Sequence, residues 1–213
     1  MARLTLHDDR FFDPNPAVRR VARMLYEEVR DHPIVGPHGH VPPALLAENE
    51  PFPEPTALLF TPDHYIFRML YSQGLRLEDL GIPTVDGTPV EDDPRTIWQT
   101  FGEHYYLFRG TPTRAWLDYE LYHVFDVRQR LSGETAMAIY DQIQEKLEQP
   151  SFRPRALYDQ FNVEVLTTTD AATDSLEHHR AIRASDWDGR VVPCFRPDAL
   201  FQIADPDWQG ELD

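Results

Sequence analysis

The stretch from Val163 to Arg196 limits the fold more than any other part of the chain. Val163-Glu164-Val165-Leu166-Thr167-Thr168-Thr169 is rich in β-branched residues and reads as a strand ending at Asp170. Asp174 and Glu177 then resemble a capping pair, which predicts a helix running to about Ser185. Arg190-Val191-Val192-Pro193-Cys194-Phe195 forms the next strand and stops at Arg196. Strand, helix and strand at this spacing indicate a right-handed crossover between parallel strands. In α/β barrels the chemistry gathers just past the carboxyl ends of such strands, where Asp170 and Arg196 stand here.

A third strand is expected at Pro33-Ile34-Val35-Gly36-Pro37-His38-Gly39-His40. In an extended backbone, residues one apart point to the same side, so His38 and His40 can offer two imidazole nitrogens to one cation. A surface loop is the ordinary alternative for such a pair. Upstream, Phe11-Phe12-Asp13 reads as an apolar clasp for an N-terminal arm. Asn15-Pro16 opens a helix, with Val18, Val21, Ala22, Leu25 and Val29 at helical spacing and Asp31-His32-Pro33 ending it.

The middle of the chain is expected to be helical. Residues 41–62 hold six prolines and read as a loop with one helical turn near Ala44 to Glu48. Asp63 to Gly74 predicts a helix, and residues 75–95 are acidic and turn-rich. Ile97, Phe101, His104 and Tyr105 share one helical face, and so do Leu117, Leu121, Val124 and Phe125. A further helix from Glu134 to Leu147 turns Ala136, Ile139, Ile143 and Leu147 inward.

The charge balance narrows the partners. Thirty-six acidic against 20 basic residues give a formal net charge of −16, which repels phosphate backbones and argues against nucleic acid. An anionic small molecule needs a local arginine to overcome that field. No window approaches a membrane span, and the N-terminus lacks the layout of a signal peptide, so a cytoplasmic location is expected. The single cysteine, Cys194, excludes an internal disulfide and reads as a small apolar strand residue.

Several motifs in a fixed order carry a resemblance. With Pro33-Ile34, His38-Gly39-His40, Asp63-His64-Tyr65, Trp98, Phe108 to Arg114, Thr168-Thr169-Asp170, Asp174 to His179 and Phe195-Arg196-Pro197-Asp198, the chain resembles the uronate (glucuronate) isomerases of the amidohydrolase superfamily. The resemblance implies an α/β fold, the N-terminal part of a distorted (β/α)8 TIM barrel with about three parallel strands. Residues 41–160 would form a large helical insertion after the first strand, within a single barrel domain over 1–213. The implied reaction interconverts D-glucuronate with D-fructuronate and D-galacturonate with D-tagaturonate through a cis-enediol. It needs no organic cofactor.

Carried over by resemblance, His38 and His40 form a metal pair for one divalent cation, zinc first. His64 and Tyr65 become catalytic candidates that contact substrate and help move the proton. Arg196 would grip the hexuronate, with Asp170 as a second substrate-binding candidate. Thr169 and Asp170 serve equally well as capping or turn residues. Arg109 and Arg114 supply either positive charge or anchoring for the inserted helices. His178 and His179, adjacent on a helix, are expected to be structural or exposed. About three strands fall short of eight, so the chain is expected to be the N-terminal piece of a longer protein, with a catalytic aspartate and arginine beyond it. A homo-oligomer that covers the open sheet edge is the other solution. Another metal-dependent hydrolase of the same superfamily, or a non-catalytic fragment binding sugar acids, are the alternative functions.

Overall fold

The computed structural model of this protein describes residues 2–205 and 208. They form two compact units, one within residues 2–23 and 52–149, the other within residues 24–51 and 150–205. Helix α1, Pro16–Val29, runs through the boundary. The Asn15 side chain accepts from Ala17 N at 2.9 Å, the expected cap. The apolar stripe Val18, Val21, Leu25 and Val29 is exposed.

The first unit is helical because carboxylates and prolines start its helices. Glu54 accepts from Thr56 N and Ala57 N to open α3, Pro55–Leu59. This helix replaces the loop expected up to residue 62. Asp63 caps α4, His64–Ser72, and Gly74 follows at φ +92°, a conformation that suits glycine. Asp93 and Thr111 cap α5, Pro94–His104, and α6, Pro112–Tyr119. A single π-helical turn, Glu120–Val124, continues α6, closed by Phe125 N donating to Glu120 O at 3.0 Å. Helix α7, Ala136–Leu147, buries Ala136, Ile139, Ile143 and Leu147 as expected.

Trp98, Phe101, Tyr105 and Phe108 lie in the core of this unit, and the Trp98 indole donates to Ala136 O at 3.0 Å. Gly102 brings α5 close to α7, since a Cβ there would stand 2.7 Å from that of Ala136. Leu4 fastens the N-terminal arm, at 2% exposure against 71% for Phe11, so the expected Phe11 clasp is corrected. Arg3 bridges to Gln129, and Leu4 N donates to Arg128 O at 2.9 Å. Arg114 is an anchor: it donates to Asp118 at 2.7 Å and Tyr105 O at 3.2 Å and lies over the Tyr105 ring.

The second unit is a three-stranded parallel sheet with helices. Strands β1, Ile34–Gly36, β2, Val163–Ala171, and β3, Val191–Arg196, stand in the order β1-β2-β3, all parallel. Helices α2, Pro43–Glu48, and α8, Pro154–Gln160, precede β2, and α9, Glu177–Ala184, makes the crossover to β3. Leu46, Tyr158 and Ile182 form its core, with Val163, Leu166 and Val191 packed on them. Arg155 ties α8 to the end of α2 by donating to Leu46 O at 2.7 Å and Ala47 O at 2.9 Å. The capping pair expected for α9 does not form: Leu176, left-handed at φ 54°, occupies the cap position, and Asp174 accepts from its amide instead.

Candidate functional site

In the second unit, each strand delivers a polar group at its carboxyl end. Past β1 the chain turns through Pro37 to His38, Gly39 and His40, and the two Nε2 atoms lie 3.0 Å apart with the rings edge to face. That contact needs one ring to donate and the other to accept. Two nitrogens bound to one tetrahedral zinc stand about 3.3 Å apart, so small ring movements would let both lone pairs meet one cation. The pair therefore fits a metal. Among the described residues no group of three or more His, Cys, Asp or Glu is placed to hold a metal ion, so the pair is an incomplete ligand set.

The end of β2 is worked from both faces. Thr168 is fully buried, and its hydroxyl donates to Asp170 Oδ2 at 2.7 Å. Because Asp170 takes the hydroxyl's hydrogen, His179 Nε2, 2.8 Å from the same oxygen, must be the donor to it. His179 Nε2 is also 3.8 Å from Asp170 Oδ2, and both side chains keep less than a tenth of their surface. His179 Nδ1 has no hydrogen-bond partner among the described residues. The His179 side chain is thus nearly covered, and His178 is the more exposed of the two. Thr169, on the alternate face, donates to Gly39 O at 2.5 Å.

Arg196 ends β3 and binds Asp198 through two hydrogen bonds, at 2.8 and 3.2 Å, in the open. That bonding holds the Asp198 carboxyl below its usual range. Arg196 pairs in register with Ala171, and Phe195 with Asp170. Paired residues share a face and successive residues alternate, so Asp170 and Arg196 leave opposite faces of the sheet. Cys194 is half-buried and free.

In the first unit, His64 and Tyr65 open α4. Asp63 accepts from Tyr65 N at 2.8 Å, and the two rings stack with centroids 4.3 Å apart. Tyr65 is 58% exposed and lines an open groove of about 610 Å³ with Arg68, Met69, Phe108 and Trp116. Glu120, on the π turn, is a group that the sequence pattern did not single out. Burial first, and the Asp63 charge second, push its carboxyl up to about 7. A glutamate flanked by Leu117 and Leu121 on a buried helical face was the signal available.

A parallel β–α–β sheet with histidines past its first strand and an arginine closing its third fits a class: part of a TIM-barrel-like α/β enzyme. The glucuronate isomerase family model matches residues 8–212. The chain belongs to the glucuronate isomerase family. It is 55% identical to a uronate isomerase of Mesorhizobium japonicum over 202 residues, 95% of this chain and 42% of that protein. A uronate isomerase of Rhizobium meliloti is 52% identical over the same shares. The crystal structure of glucuronate isomerase from Caulobacter crescentus superposes with a TM-score of 0.93 at 45% identity, covering 99% of this chain and 44% of that one. Uronate isomerase from Thermotoga maritima gives 0.83 at 28% identity, over 97% of this chain and 42% of that one. The chain thus spans less than half the length of these relatives. No helix among the described residues is long and apolar enough to cross a membrane.

Proposed function

We propose that this chain supplies one part of an aldose–ketose isomerase acting on hexuronates, interconverting D-glucuronate with D-fructuronate and D-galacturonate with D-tagaturonate. The match to the glucuronate isomerase family along residues 8–212 carries the reading. Residues 41–160 are then an insertion in a barrel of the amidohydrolase type. The reaction is that of the longer protein, in the cytoplasm. A homo-oligomer is compatible with the open sheet edges, and the acidic surface disfavours nucleic acid.

The chemistry moves a proton between C2 and C1 and passes through an enediol, so it needs a proton carrier, an oxygen stabiliser and a hold on the carboxylate. His64 and Tyr65 serve as proton carrier and hydroxyl donor. Arg196 holds the sugar carboxylate through two parallel hydrogen bonds. Its partner Asp198 is exposed, and exposed pairs exchange readily, so substrate can take its place. Asp170, fixed by Thr168 and His179, sets the end of β2 beside the site. His38 and His40 would hold a divalent cation, zinc first, which when bound supplies a positive charge that polarises a substrate oxygen.

The test uses the intact gene product, its mass measured, and follows ketose formation from D-glucuronate. Turnover is expected, with Arg196→Ala lowering kcat/KM by roughly tenfold to a hundredfold, the worth of a charge-assisted contact. Hexuronate binding without turnover would replace this reading with a sugar-acid-binding module. Absence of both binding and turnover would refute it.

A further inference from the structure

Successive residues at the end of β2 serve different neighbours. Thr168 and Asp170 turn toward His179 on α9. Thr169 leaves the other face, and its hydroxyl donates to the carbonyl of Gly39, the residue between the two histidines. The Thr167 carbonyl closes the same space: a Cβ on Gly39 would stand 2.9 Å from it, nearer than real Cβ atoms come.

We propose that Thr169 is a positioning residue for the His38–His40 pair, and that Gly39 is required because the space beside the Thr167 carbonyl admits no side chain. The inference rests on the reading of the pair as a cation site. Glycine is the freest link a chain can place between two ligands. Fixing its carbonyl fixes the peptide plane that joins Gly39 to His40, and with it the direction in which the second ring leaves the first. Pro37 and Pro42 stiffen the segment on either side, which leaves the Gly39 peptide as the soft joint. The Thr169 hydrogen bond closes that joint on the central strand of the sheet, itself locked from behind by Thr168 and His179. Groups that orient metal ligands in this way, without touching the metal, typically alter its affinity about 10–100-fold.

The test uses the 213-residue chain with Co²⁺ as the probe, and ring-to-ring nuclear Overhauser contacts between His38 and His40 in the metal-free protein. Thr169→Val, which keeps the shape and loses the hydroxyl, is expected to weaken Co²⁺ binding about 10–100-fold and to erase the ring contact, with circular dichroism unchanged. Thr169→Ser, which keeps the hydroxyl, is expected to retain both. Gly39→Ala, which leaves Thr169 in place, is expected to behave like the valine variant and tests the same joint independently if that variant does not fold. Retention of the ring contact and of Co²⁺ affinity in Thr169→Val, or in Gly39→Ala where the valine variant does not fold, overturns the proposal. If the wild-type chain takes up no Co²⁺ while the ring contact follows the hydroxyl, the positioning role stands and the cation reading falls.

Discussion

Replacing Glu120 by glutamine should make the first unit more stable at neutral pH and leave it unchanged in acid. Glu120 lies on the π turn, half-buried and within reach of the Asp63 charge, and its carboxyl is pushed up to about 7 from an ordinary 4.5. Burial is the larger cause, because a carboxylate removed from water loses hydration that no cation among the described residues restores. The sign follows from linkage. In the unfolded chain Glu120 gives up its proton near 4.5, whereas the folded chain holds it to about 7. Its contribution is therefore fully present below 4.5 and is lost as pH rises through about 7. A shift of that size corresponds to about 3 kcal/mol, and partial solvent contact brings the expectation to about 2 kcal/mol. Glutamine keeps the shape and carries no charge at any pH. Urea denaturation followed by the fluorescence of the buried Trp98 should show wild type and Glu120→Gln alike near pH 4, with the variant ahead by about 2 kcal/mol at pH 8. A difference that stays flat from pH 4 to pH 8 would refute the reasoning, because it would mean that Glu120 titrates alike in both states.

Three other outcomes follow from single contacts. Thr168→Val removes the hydroxyl that joins Asp170 to His179 and leaves two buried polar groups unpaired, so a loss of about 2–3 kcal/mol is expected in urea denaturation. Gly102→Ala gains about 1 kcal/mol of helix propensity but drives a methyl within 2.7 Å of Ala136 Cβ and 3.2 Å of Ser132 O. Overpacking at about 1–3 kcal/mol wins, and the thermal midpoint should fall. His38→Ala with His40→Ala should abolish binding of Co²⁺ with circular dichroism unchanged, since both side chains lie past the end of β1 and outside the core of their unit; unchanged metal stoichiometry would show that the ligands lie elsewhere.

The elements with strong local signals were legible in the residues. Helix α7 repeats its apolar positions with a 3.6 period, α1 is announced by Asn15-Pro16, and β2 by its β-branched run. The parallel order followed from the length of the crossover. Helix α3 was hidden by the prolines around it, although Pro55 is a first-turn residue and Glu54 caps it through two hydrogen bonds. At α9 the Asp174 and Glu177 spacing suggested a cap, yet Asp174 turns to the Leu176 amide, a short-range alternative that such side chains always offer. The resemblance brought His38, His40, His64, Tyr65, Arg196 and Asp170 forward from the sequence. The nearness of the His38 and His40 rings was read from their spacing, but the strand expected to carry them ends at Gly36 and the pair stands on a turn beyond it, while the opposed directions of Asp170 and Arg196 were not legible because they depend on strand register. Burial of His179 depends on how α9 lies on β2, and no local pattern encodes that.

The register of β2 is where fold and chemistry meet. Its side chains alternate, so Thr168 and Asp170 hold α9 through His179 while Thr169 holds the turn that carries the histidine pair. A slip of one residue in the pairing with β1 and β3 would exchange these assignments at once, setting the Thr169 hydroxyl against the helix and the Asp170 carboxylate against the Gly39 carbonyl. Two oxygens without a hydrogen between them repel, and Ala171 would stand where Asp170 now accepts from the threonine hydroxyl. The same alternation sends Arg196 to the face of Ala171, away from the buried aspartate that would otherwise neutralise it. For the role proposed for Arg196, holding an exchangeable carboxylate, the guanidinium must avoid a permanent buried one. The pairing of Arg196 with exposed Asp198 and the burial of Asp170 behind the strand meet that requirement together.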